Sequence, residues 1–168
     1  MTAARQQRKQ RLGIVALAGL LWLLPAIATP RAAPRAATSE RIVVDRHSGL
    51  AIGGYDPVAF YTDGKAMPGD ADLELTYDGA VWRFCNIGNR EAFAAQPEVY
   101  MPRFGGYDPV GVARGIAVAG NPNTWLISGN RLFLFYDRDR LETFRADPER
   151  IYSAAERKWP DVLRALTP

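Results

Sequence analysis

The sequence predicts an α+β fold built from two tandem β-hairpin–helix units that share one core. Three observations lead there. The hexapeptide Gly53-Gly54-Tyr55-Asp56-Pro57-Val58 recurs as Gly105-Gly106-Tyr107-Asp108-Pro109-Val110, 52 positions later. After each copy, two alternating apolar runs flank a two-residue turn, the pattern of a β-hairpin. After each hairpin comes a cap residue and a stretch with a central phenylalanine, as expected of an amphipathic helix.

The recurrence extends beyond the hexapeptide. Trp82 and Phe84 match Phe133 and Phe135, Phe93 matches Phe144, and Pro97-Glu98 matches Pro148-Glu149, each 51 positions on, while Tyr100 pairs with Tyr152. Self-similarity sustained over such a span marks an internal repeat, placed at 53–100 and 105–152. In the first copy Leu73 to Tyr77 alternates, Asp78-Gly79 turns, and Val81 to Phe84 alternates back. In the second, Trp125 to Ile127 leads to Gly129-Asn130, and Arg131 to Tyr136 returns. Asn86 and Asp137 are suited to cap the helices that follow. Pro97 and Pro148 are placed to start further helices, where a missing N–H costs nothing. The last helix is expected from Pro148 towards Trp159, with Pro160 restarting it towards Leu166.

The first forty residues follow a different logic. Arg5, Arg8, Lys9 and Arg11 precede a 17-residue apolar run from Leu12 to Ala28, and Ala26-Ile27-Ala28 offers an A-x-A cleavage pattern. That order is a secretory signal peptide over 1–28, followed by a Pro/Ala-rich linker over 29–40 and the domain proper over 41–168. Cleavage after Ala33 or Ala37 is an alternative. Seventeen helical residues span about 25 Å, short of the roughly 30 Å hydrocarbon core, and Pro25 interrupts them. The expectation is a Sec-type leader and a periplasmic or secreted product that meets the membrane only before cleavage.

Composition narrows the function classes. Of the 168 residues 48% are hydrophobic and 23% charged, which excludes a disordered or collagen-like chain. The net charge is +3, yet no acid precedes Glu40, and without the four leader bases 17 positive charges face 18 negative ones. The basic character therefore belongs to the leader, and a nucleic-acid partner is not expected. One His and one Cys cannot build a His/Cys zinc cage. No phosphate-binding glycine loop, G-x-S-x-G, H-E-x-x-H or C-x-x-C occurs.

The run Tyr77-Asp78-Gly79-Ala80-Val81-Trp82-Arg83-Phe84-Cys85, then Asn89-Arg90-Glu91-Ala92-Phe93 and Gln96-Pro97-Glu98-Val99-Tyr100, resembles the YHS domain. The wider stretch, from Ile52 to Phe60 and on through Arg103-Phe104-Gly105-Gly106-Tyr107, is similar to exported stand-alone YHS proteins of bacteria. The resemblance covers nearly all of residues 50–160. It implies a small metal-associated module of the kind attached to metal transporters or oxygenases. Two departures count against thiol chemistry. Asn89 stands where the metal-associated version has a second Cys, and Asp108 stands where exported relatives carry Cys or selenocysteine.

The candidate ligand-binding residues are Tyr55, Asp56, Tyr107 and Asp108, and the candidate metal ligands are Asp56, Asp108 and Cys85. Paired carboxylates in one cleft would suit a hard divalent cation. Against this, Asp56 and Asp108 each fit a helix cap followed by proline at the first helical position. Cys85 is by default a core thiol, since free cysteine is among the most buried residue types, although Arg83 on the same strand face could activate it. His47 lies in a polar turn and reads as solvated. The function expected is a binding module for a metal ion or small ligand, without established catalysis. The alternatives are a structural or protein-interaction domain, and a thiol- or carboxylate-based enzyme.

Overall fold

The computed structural model describes residues 41–166. The leader and the whole linker lie outside the described residues. The order of elements is α1 (Ala59–Thr62), β1 (Asp70–Tyr77), β2 (Ala80–Phe84), α2 (Ile87–Ala95) and α3 (Pro97–Tyr100). It continues with α4 (Pro109–Val112), β3 (Asn121–Ser128), β4 (Arg131–Phe135), α5 (Arg138–Ala146) and α6 (Pro148–Leu166). The fold is α+β, and β1, β2 and α2 have the same lengths as β3, β4 and α5.

The two hairpins also share their register. Leu75 opposes Trp82 and Tyr77 opposes Ala80, while Leu126 opposes Phe133 and Ser128 opposes Arg131. Each ladder slips at the same place, between Asp70 and Glu74 and between Asn121 and Trp125. The turns hold Asp78 and Gly79 at φ 47 and 78°, and Gly129 and Asn130 both at 56°. Two central residues in the left-handed region match the right-handed twist of the strands, so the turn residues themselves favour these hairpins.

The apolar interior is organised around β4. Leu132 and Leu134 pack with Phe60, Trp82, Phe84 and Phe93, whereas Phe133 and Phe135 pack with Val112, Leu141, Phe144 and Ala155. Four consecutive buried side chains thus serve two clusters through the period-two alternation of a strand. Trp125 of the second hairpin packs into the first cluster, where its ring meets Phe60 edge-on at 5.2 Å. Within each cluster the aromatic arrangement repeats. Trp82 and Phe84 lie 5.1 and 5.2 Å from Phe93, and Phe133 and Phe135 lie 4.9 and 5.3 Å from Phe144.

Helix boundaries follow their caps with two exceptions, the start of α1 and the course of α6. The Asn86 side chain accepts the Asn89 N–H, and the Asp137 side chain accepts the Arg140 N–H. Pro97 and Pro148 open α3 and α6 as predicted. The expected break at Pro160 does not occur: α6 is continuous to Leu166. Interior proline costs a helix about 3 kcal/mol. Here Pro160 faces solvent, and continuity lets Ile151, Ala155 and Val162 bury along one stripe with Leu166 at its end. Among the described residues no helix is long and apolar enough to cross a membrane.

Candidate functional site

Both motif aspartates are fully buried, and each forms the hub of its own unit. Before each, two glycines turn the chain through positive φ, 67 and 80° at Gly53 and Gly54 and 60 and 88° at Gly105 and Gly106. Those conformations are cheap only for glycine. The Asp56 Oδ1 accepts the N–H of Val58 at 2.8 Å and of Ala59 at 3.3 Å. Its Oδ2 accepts the N–H of Cys85 at 2.9 Å and the side-chain amide of Asn89 at 2.7 Å. Asp108 repeats the arrangement. Oδ1 accepts Val110 at 2.7 Å and Gly111 at 3.0 Å, and Oδ2 accepts Tyr136 at 2.9 Å.

One carboxylate oxygen therefore binds the N–H groups of the turn or short helix that follows, while the other ties down the end of a hairpin strand. Pro109 takes the first position of α4, with Asp108 as its cap. In the first unit α1 begins only at Ala59, yet Asp56 still binds the two N–H groups that point back at it. The units differ at the fourth donor. Asn89 donates to Asp56, whereas Arg140, in the corresponding place, brings its guanidinium to 4.0 Å from Asp108.

Cys85 is not the core thiol expected of a lone cysteine. It closes β2 on the half-exposed face, where the side-chain amides of Asn86 and Asn89 donate to its Sγ at 3.4 and 3.5 Å. Burial pushes its pKa up to about 11, and the neighbouring Asp56 carboxylate adds to the rise. Arg83, the expected activator of the thiol, pairs instead with Glu74 at 2.8 Å. The group is held as a thiol at neutral pH, the opposite of the electropositive setting a reactive cysteine needs.

The motif tyrosines part company. Tyr107 is buried, with its ring 6.0 Å from that of Trp159. Tyr55 is half-buried, and its hydroxyl accepts the side-chain amide of Asn123 at 3.1 Å, a link between the two units. His47 is exposed in the turn that Asp45 closes. Among the described residues no three His, Cys, Asp or Glu side chains come together as a metal-holding group.

What the sequence reading missed is a cleft. Residues 42–46 and 117–122 line two adjoining cavities of about 310 and 370 Å³ that share Val43, Val44, Arg46 and Ala119. Ile52, Pro122 and Tyr107 complete their walls. No motif signals it, because its walls are scattered apolar residues and the Asp45-Arg46-His47 turn, drawn from distant parts of the chain. Comparison with protein-family models, curated proteins and solved structures produced no match.

Proposed function

We propose that this chain is an exported, non-catalytic binding module, in which the Gly-Gly-Tyr-Asp-Pro repeats hold the scaffold and the ligand enters the cleft beside them. The observation that carries this reading is the saturation of both motif carboxylates. Asp56 receives four N–H donors and Asp108 three. A cation at either carboxylate would have to displace bonds that cap a helix and anchor a strand. Buried acceptors stripped of their donors are costly, so the scaffold opposes such an exchange. A general acid–base role is opposed on the same ground, and the protonated Cys85 opposes a nucleophilic one. The likeness to the YHS domain and the order of charges in the leader support the module and export readings.

The test measures melting temperature for the parent chain, Asp108→Ala and Cys85→Ser, each with and without magnesium, calcium, manganese and zinc. The reading expects Asp108→Ala to melt lower by the same amount in every ion. Ion-dependent stabilisation of the parent that Asp108→Ala abolishes and Cys85→Ser preserves would replace it with an oxygen-ligated cation site. Export is tested by mass spectrometry of the secreted or periplasmic fraction, where the chain should start between Thr29 and Thr38. An intact Met1 chain held in the membrane would contradict it.

A further inference from the structure

The cleft has two walls of backbone, and both present an open edge. Val44 bridges Ala51 in antiparallel fashion, through bonds from Asp45 N–H to the Leu50 carbonyl and from Ile52 N–H to the Val43 carbonyl. In that pattern the bridged residue's own N–H and C=O point away from its partner. Ala119 bridges Tyr107 in the same way, through Asp108 N–H to the Val118 carbonyl and Gly120 N–H to the Gly106 carbonyl. Among the described residues no hydrogen bond engages the backbone of Val44 or Ala119. Both residues line the cleft.

The first unit closes its equivalent edge. Tyr55 bridges Pro68 where Tyr107 bridges Ala119, and proline has no N–H to offer. Proline at an edge is a common device against unwanted strand pairing. The second unit lacks that block where its edge borders the cleft.

Charge gives the occupant a further property. Arg46 lines both cavities and, among the described residues, forms no ion pair. The adjacent acid, Asp45, is turned onto its own loop, where Oδ1 accepts from the His47 and Ser48 amides and the Ser48 hydroxyl. The cleft therefore combines apolar side chains, open backbone edges and a cation, Arg46, that among the described residues has no ion-pair partner.

We propose that the cleft between residues 42–46 and 117–122 binds an extended segment of a partner polypeptide carrying an acidic side chain. The segment pairs its backbone with Val44 and Ala119, seats alternate apolar side chains against Val43, Ile52 and Pro122, and sets its carboxylate beside Arg46. This is strand addition, in which main-chain bonds supply affinity and side-chain pockets supply selectivity. The inference rests on the binding-module reading and names its ligand class.

The experiment titrates the full-length ¹⁵N-labelled chain with a capped hexapeptide of alternating valine and threonine in which one central residue is glutamate. The expected result is amide shift changes centred on Val44 and Ala119. Backbone N-methylation of the peptide, glutamate-to-lysine replacement in it, or Arg46→Glu in the protein should each weaken binding by about tenfold or more. Arg46 is exposed, so that variant folds as the parent does. No shift at those amides at millimolar peptide, or equal binding of the N-methylated peptide, overturns the proposal. Shifts at the same amides that depend on protein concentration without peptide assign the cleft to a second copy and overturn it too. The melting experiment above reads the cation question independently, so the two failures are distinguishable.

Discussion

The Asp56 carboxylate holds the backbone N–H of Cys85 at 2.9 Å, and in the second unit Asp108 holds that of Tyr136 at the same distance. The acid and its amide are 29 residues apart in the first case and 28 in the second. Each pair joins the loop before a hairpin to the strand that ends it, so the aspartate closes its unit like a clasp.

Removing a clasp should cost more than removing an ordinary cap. An exposed cap residue contributes about 1 kcal/mol. Asp56→Ala leaves buried N–H groups unpaired, so its expected loss in urea unfolding is about 2–4 kcal/mol. Asp63→Ala, at an exposed position, provides the control and should change stability by less than about 0.5 kcal/mol. Equal losses in the two variants would show that the buried network is dispensable.

A second expectation concerns close approach. An added Cβ at Gly69 would sit 2.4 Å from the Arg83 Cβ, and at Gly120 2.6 Å from the Leu134 Cβ. Neither contact can be relieved without moving a strand. Gly69→Ala and Gly120→Ala should each destabilise by about 1–3 kcal/mol, the usual range for overpacking. Calorimetry showing either variant as stable as the parent would contradict the packing described.

β4 should make unfolding a single event. Leu134→Ala and Phe133→Ala remove side chains from different clusters, with expected costs of about 2–5 and 3–5 kcal/mol. Because one strand carries both faces, each variant should lower the melting temperature of both units together. Hydrogen exchange would check this through amides of β2 and α5. Loss of protection in one unit alone would mean that the clusters fold separately.

Cys85 sets a pH-dependent expectation. With the thiol pKa raised from 9.0 to about 11, iodoacetamide should react with the folded chain more slowly than with the unfolded chain at pH 8. The rate in the folded chain should climb with pH until about 11. The preference for the neutral thiol favours folding below the unfolded pKa near 9 and is lost as pH rises through the folded one. Rapid alkylation of the folded protein at pH 7 would mean that the thiol is activated.

Much of this architecture was legible in the sequence wherever a few neighbouring residues decide the outcome. Asp78-Gly79 and Gly129-Asn130 set both hairpins through their own backbone preferences. Asn86 and Asp137 set helix starts by binding N–H groups three residues on. Pro97 and Pro148 did the same through a fixed φ. The role of Asp108 as a cap was equally local, and so was readable, whereas at Asp56 the helix starts two residues later than the same motif implied. The tertiary structure alone decided that the same carboxylates reach Cys85 and Tyr136. It also decided that Cys85 lies at a half-exposed strand end, that α6 runs through Pro160, and that Val44 and Ala119 line one cleft. Each of these depends on surfaces brought together from distant parts of the chain. A turn or a cap carries its determinants within three or four residues, whereas a shared core or an open edge exists only after the pieces have packed.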